Sequence, residues 1–215
     1  MTKNNIDTIV DTVISRIHEV MGQTFEIEAS GRHIHLNREA IDSLFGEGYQ
    51  LHPSKYLSQP GEFASKERVS IKGPKGTIND VVILGPERKD CQVEVSLTDA
   101  RLLGVNAPVK LSGNIENTPG IIVMNGSKSF VLDKGVIVAK RHLHVKYIDA
   151  EILGVKDQER VSVQVFSARP LIFDDVIVRV SPKFETSMHI DYDEANACGY
   201  KKGVRGRIVK RYIDG

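Results

Sequence analysis

Leu97-Thr-Asp-Ala-Arg-Leu-Leu-Gly104 recurs as Tyr147-Ile-Asp-Ala-Glu-Ile-Leu-Gly154 and again as Tyr192-Asp-Glu-Ala-Asn-Ala-Cys-Gly199. Each reads as a short helix stopped by a glycine, the residue that most readily takes the left-handed conformation past a helix end. A fourth unit, residues 38–45 before Gly46, has the same form. Helices are therefore expected over 38–45, 98–103, 148–153 and 193–198, as parts of an internal repeat.

Between these units lie short β-branched runs broken by Gly, Pro and Asp: residues 69–72, 81–84, 92–95, 121–124, 136–139, 161–165, 177–180 and 207–209. Many short strands at this spacing indicate barrels or sandwiches. The expected fold class is mainly β, with two pseudo-symmetric β-barrel domains capped by short α-helices.

Ten residues before the glycine stand Glu94, His144 and His189, and in the first unit His35 stands eleven before Gly46. A second His precedes two of them, in Arg32-His-Ile-His35 and Arg141-His-Leu-His144. The chain thus reads as two halves, each supplying His-x-His and one further ligand: His33, His35 and Glu94, then His142, His144 and His189. Further matches join the halves. Arg68-Val-Ser answers Arg160-Val-Ser, and Asp80-Val-Val-Ile answers Asp175-Val-Ile-Val. Arg88 stands six before Glu94 as Lys183 stands six before His189, and a longer connection over 48–66 marks the first half.

In extended chain, residues i and i+2 point to the same side, so His-x-His offers two imidazoles to one ion and a distant strand adds the third ligand. A single His-x-His is ordinarily a surface pair. Five of the seven histidines falling in duplicated positions favour metal instead, and three protein ligands with a vacancy is the catalytic zinc arrangement. His18 and His52 lack this context and read as ordinary surface residues. Arg88, at the end of Leu84-Gly-Pro-Glu-Arg88, can fork two hydrogen bonds to an oxyanion.

Composition excludes other classes. With 29 Lys and Arg against 28 Asp and Glu, no global positive field draws nucleic acid or an anionic membrane. Two separated cysteines, Cys91 and Cys198, make no disulfide framework or Cys-rich zinc module and suit a reducing compartment. No apolar run approaches the ~20 residues of a membrane span. At the N-terminus, Ile6, Ile9, Val10, Val13, Ile14, Ile17, Val20 and Met21 line one face of an expected amphipathic helix over residues 5–21.

Ser30-Gly-Arg-His-Ile-His-Leu36, Gly85-Pro-Glu-Arg88, Gln92-Val-Glu-Val-Ser96, Arg141-His-Leu-His144 and Met188-His-Ile-Asp-Tyr-Asp-Glu-Ala-Asn196 closely resemble the phosphate propanoyltransferases, the PduL-type phosphotransacylases, over about residues 25–210. The resemblance implies two β-barrels, two zinc ions at their junction, and reversible exchange of a short acyl group between coenzyme A and phosphate. It makes His33, His35 and Glu94 ligands of the zinc that meets the coenzyme A sulfur, and His142, His144 and His189 ligands of the second. Arg88 would hold phosphate, while Ala29, Ser30, Gly31 and Asn196 would border coenzyme A. Because the family pairs the segment before the first His-x-His with the second barrel, the implied domains are 1–22 (targeting or association helix), 32–140 (first barrel) and 23–31 with 141–215 (second barrel).

The helix is similar to segments that target such enzymes, in the bacterial cytoplasm, into microcompartments such as those of propanediol degradation. Shell or cargo proteins, or a second copy of the chain, are its expected partners. The alternatives are a zinc-dependent hydrolase, disfavoured by the short helices, and a noncatalytic module cross-linked by metal, disfavoured by three ligands per set where four would close the site. Paired nucleophile and base residues are not evident, so direct transfer between bound substrates is expected rather than an acyl-enzyme.

Overall fold

The structure, a computed structural model, describes residues 23–209 together with Val13. The expected helix over residues 5–21 lies outside the described residues apart from Val13, as does His18. Fifteen strands and four short helices follow in the order β1 (Thr24–Ala29), β2 (His33–His35), α1 (Arg38–Phe45), β3 (Pro53–Tyr56), β4 (Phe63–Lys72), β5 (Thr77–Gly85), β6 (Gln92–Glu94), α2 (Leu97–Leu103), β7 (Val109–Lys110), β8 (Ile121–Asn125), β9 (Lys128–Leu132), β10 (Val136–Ala139), β11 (His142–Lys146), α3 (Tyr147–Leu153), β12 (Arg160–Phe166), β13 (Leu171–Ser181), β14 (Ser187–Ile190), α4 (Tyr192–Ala197) and β15 (Arg205–Val209). No described helix is long and apolar enough to cross a membrane.

The chain is mainly β, as its sequence indicates. One sheet closes into a barrel, β1-β14-β11-β13-β12-β15, with β15 returning to β1. The other is open, running β7-β10-β6-β2-β5-β4-β8-β9 with β3 on β4. The two halves thus differ in closure. The connection over 48–66 also carries the edge strand β3, paired through Pro53↔Ser65 and Tyr56↔Phe63. All four β3 residues are exposed, so no alternation of apolar side chains announces it. The chain divides into two compact units: the described parts of Met1–Glu28, His142–Met188 and Cys198–Gly215 form one, and Ala29–Arg141 with His189–Ala197 the other.

The duplication is visible in register. In the open sheet, β5 lies parallel to β2 with Val82 opposite His33 and antiparallel to β4 with Val82 opposite Arg68. In the barrel, β13 lies parallel to β11 with Ile177 opposite His142 and antiparallel to β12 with Ile177 opposite Arg160. Asp80 and Asp175, matched in sequence, both take positive φ, 58° and 54°. Asp is among the few non-glycine residues that tolerate that region, so the same kink recurs in both long strands.

Helix ends follow the glycine reading. Gly104 and Gly154 are left-handed, each donating its N–H to the carbonyl four residues back, Ala100 and Ala150. At the N-termini, Asn37 Oδ1 accepts from the Ala40 N–H at 2.9 Å, and Ser96 forms a reciprocal capping box with Asp99. Such caps satisfy amides that otherwise lack partners. The open sheet packs Ile34, Leu36, Ile41, Leu44, Val69, Ile71, Ile83, Val93, Leu103 and Val123 into one core. Cys91 belongs to it, and Cys198 is wholly buried, so both cysteines fill space.

Candidate metal centre

Strand β2 is three residues long and buried on both faces. Ile34, fully buried, points into the core, which turns His33 and His35 together toward the opposite side. Antiparallel pairing with β6 sets Glu94 opposite His33 and Gln92 opposite His35. Four polar side chains from two strands therefore share one face, and His33, His35 and Glu94 are at most 7% exposed. Each offers a ligand atom within 4.8 Å of the others.

The geometry within the set is specific. His33 Nδ1 meets the Gly31 carbonyl at 2.8 Å, leaving Nε2 3.4 Å from Glu94 Oε2. The two imidazoles lie edge to face, with centroids 5.1 Å apart. Among the described residues, no well-formed hydrogen bond reaches the buried His35 Nδ1, although the Leu84 backbone acts on the ring. An orphaned buried ring nitrogen is costly. It becomes intelligible as a metal ligand, and two imidazoles with a carboxylate suit zinc.

Sequence reasoning missed Gln92. Buried at 2% exposure, it donates to Glu94 Oε1 at 2.6 Å and to Ser112 Oγ at 2.9 Å, and accepts from the Gly113 N–H at 2.7 Å. It therefore fixes one carboxylate oxygen and leaves Oε2 facing His33. Its position two residues before Glu94 is the signal that could have revealed it, since i and i+2 share a face.

Electrostatics follow from burial and mutual charge. Burial pushes the Glu94 carboxyl up, but the facing His33 outweighs it and holds the group well below the usual carboxylate range. Burial lowers the His33 imidazole, yet Glu94 leaves it above its ordinary value. His35 falls to about 3, through burial first and then the charges of His33 and Arg88. A histidine held neutral opposes folding once its unfolded form takes a proton, so His35 costs stability as pH falls below its unfolded value near 6.5. Between pH 6.5 and 4.5, chelated protein should lose stability more steeply than a chelated His35→Gln variant, by up to roughly 1.4 kcal/mol per pH unit. Equal slopes in urea melts at stepped pH would refute the assignment.

The second set stands on barrel strands. His142 and His144, each 8% exposed, flank the fully buried Leu143 as His33 and His35 flank Ile34. Their rings lie 4.6 Å apart, and the His144 ring stacks on Phe184 at 4.1 Å. Together with His189 on β14 they form the other cluster whose ligand atoms lie within 4.8 Å of one another.

The remaining predicted residues are placed less uniformly. Arg88 donates its backbone N–H to Leu36 at 2.9 Å, and its charge is felt at both His33 and His35. Its guanidinium pairs with Glu62 at 3.1 Å, a partner the sequence does not announce. Lys183 is exposed. Ala29, Ser30 and Gly31 are partly exposed beside the first set. A Cβ on Gly31 would come within 2.4 Å of the Tyr192 ring, so a larger residue there would have to displace that ring. Asn196 is exposed on α4. His52 is an exposed surface histidine, with Nδ1 2.8 Å from Glu67.

Comparison with known proteins gives a consistent answer. A family model described as phosphate propanoyltransferase matches residues 26–201. Among curated relatives named phosphate propanoyltransferase, one from Enterococcus faecalis is 58% identical, covering 96% of this chain and 98% of its own. One from Leptotrichia buccalis is 53% identical over 98% of this chain and all of its own, and one from Thermotoga maritima is 49% identical over 94% and 99%.

Proposed function

We propose a function from the premise that this chain belongs to the phosphate propanoyltransferase family and is a phosphate acyltransferase. It exchanges a short acyl group, propanoyl or close to it, between coenzyme A and phosphate, directly and with two zinc ions per chain. The observation that carries this reading is the buried facial set of His33, His35 and Glu94 with its orphaned His35 Nδ1.

His33, His35 and Glu94 would hold one zinc, and His142, His144 and His189 the other. When bound, zinc supplies a Lewis acid that favours a leaving thiolate and polarises carbonyl or phosphate oxygens. Arg88 binds phosphate and aims an oxygen at the thioester carbonyl. The new C–O bond forms as the C–S bond breaks, and the proton that hydrogen phosphate gives up passes, through solvent, to the coenzyme A thiolate. Ala29, Ser30, Gly31 and Asn196 border the coenzyme.

The cysteines favour direct transfer. Cys91 Sγ accepts from the Asn37 N–H at 3.3 Å, and burial pushes its thiol above the ordinary value. Nucleophilic cysteines require the reverse shift. The test is thiol release from propanoyl-coenzyme A, with and without phosphate. Phosphate-dependent release, lost on chelation and restored by zinc, supports the reading. Release that ignores phosphate would make the protein a hydrolase.

The domains implied by the sequence, 1–22, 32–140 and 23–31 with 141–215, belong to the same proposal, as does residence in a microcompartment of the bacterial cytoplasm. Residues 1–22 would serve shell, cargo or a second copy of the chain, because the helix expected from their sequence would gather eight apolar positions on one face and so favour association. Deleting them should leave folded, metal-loaded, active enzyme with altered assembly or partner capture in size-exclusion and pull-down measurements. Loss of folding or activity would assign the segment to the catalytic core.

A further inference from the structure

Both His-x-His motifs begin with an arginine, Arg32 and Arg141, which the reaction as described does not use. Arg32 meets Asp99 in a fork, Nε to Oδ2 at 3.0 Å and Nη2 to Oδ1 at 2.9 Å. Arg141 Nη1 donates to Glu194 Oε1 at 2.7 Å. The two carboxylates are equivalent. Asp99 stands five residues after Glu94 and Glu194 five after His189. Each arginine thus precedes the first two ligands of a set and grips a residue just past the third.

The carboxylates are themselves fixed. Asp99 Oδ2 accepts from the Ser96 N–H and Ser96 Oγ from the Asp99 N–H, at 3.4 and 3.2 Å. At α4, Glu194 Oε2 accepts from the Asp191 N–H at 3.0 Å and Asp191 Oδ1 from the Glu194 N–H at 2.8 Å. The two boxes are joined, because the Thr98 N–H donates to Asp193 Oδ2 at 2.8 Å. A carboxylate locked in a capping box cannot follow a moving arginine, so each pair is a fixed strut. Surface ion pairs contribute little; here the arginine side chains are 39% and 31% exposed but those of their partners Asp99 and Glu194 only 7% and 17%, so each pair is half-buried. Each strut joins elements far apart in sequence, by 67 and 53 residues.

We propose that Arg32 and Arg141 are positioning residues, each holding the ligands of one metal set in binding geometry by anchoring the start of a His-x-His strand to the helix that follows that set's third ligand. This rests on the zinc reading above. Arg32 acts on His33, His35 and Glu94, and Arg141 on His142, His144 and His189. A lysine keeps the charge but loses the rigid planar guanidinium, which makes two bonds to Asp99 from Arg32 and one to Glu194 from Arg141.

The experiment measures zinc release from full-length holoprotein into excess chromogenic chelator, with His33→Gln and His142→Gln assigning each release rate to a set. Arg32→Lys should speed release from the first set roughly 10- to 100-fold, the usual effect of removing a residue that orients a ligand. The second set's rate should change less than about twofold. Arg141→Lys should do the converse, and Asp99→Asn and Glu194→Gln, which keep an acceptor for the cap, should reproduce their partners' effects. Unchanged rates, or equal acceleration at both sets in step with a fall in Tm, would overturn the proposal and reduce the pairs to general stability. Wild-type protein that yields no zinc to the chelator even after denaturation would overturn the zinc reading together with it.

Discussion

His35→Ala should leave about one zinc per chain and lower phosphate-dependent acyl transfer roughly 10³-fold, since a catalytic metal supplies several kcal/mol and each 1.36 kcal/mol is a factor of ten. His35 is the sharpest choice among the six proposed ligands. Its Nδ1 receives no well-formed hydrogen bond among the described residues, so replacing it removes a buried polar atom that the protein alone does not satisfy. Truncating an imidazole at 3% exposure also opens a cavity, and a His35→Gln variant keeps more of that volume. Both variants should lose one metal equivalent while retaining the folded open sheet that carries β2. Full metal content in both, with normal turnover, would remove the first set from the chemistry.

The second large effect is expected at Arg88. Arg88→Ala should raise the phosphate requirement or abolish transfer with metal content unchanged, because losing a charge-assisted fork costs roughly 1.5 to 3 kcal/mol, about 10- to 150-fold. The pairing with Glu62 adds a discriminating control. If Arg88 serves phosphate, the carboxylate competes with it, and Glu62→Gln should lower the KM for phosphate while Arg88→Ala raises it. If Arg88 merely braces Glu62, both substitutions should leave phosphate kinetics alone. Steady-state rates over a phosphate titration separate these outcomes.

Much of this architecture was legible because it is written twice. Glycine-stopped helices at Gly104 and Gly154, and His-x-His flanking a buried apolar residue, are local signals. Their spacing reaches across the chain only because the same frame recurs at Glu94 and His189. Strand β3 was not legible, because Pro53–Tyr56 is an exposed edge held by backbone pairing to β4. The open first half was also hidden, since closure depends on which edges meet and not on any strand's own pattern. Gln92, Glu62 and the arginine struts escaped for a related reason. Each acts through a partner placed by register or by a loop, and a polar residue in sequence does not reveal what it will face.

The measurement closest to the central claim is the metal content of protein purified without added chelator, determined by elemental analysis alongside the thiol-release rate. Two ligand sets, His33, His35 and Glu94 with His142, His144 and His189, predict two zinc ions per chain and a rate that falls with zinc removed and returns with zinc restored. Protein free of transition metal that transfers acyl groups to phosphate at an undiminished rate would contradict it.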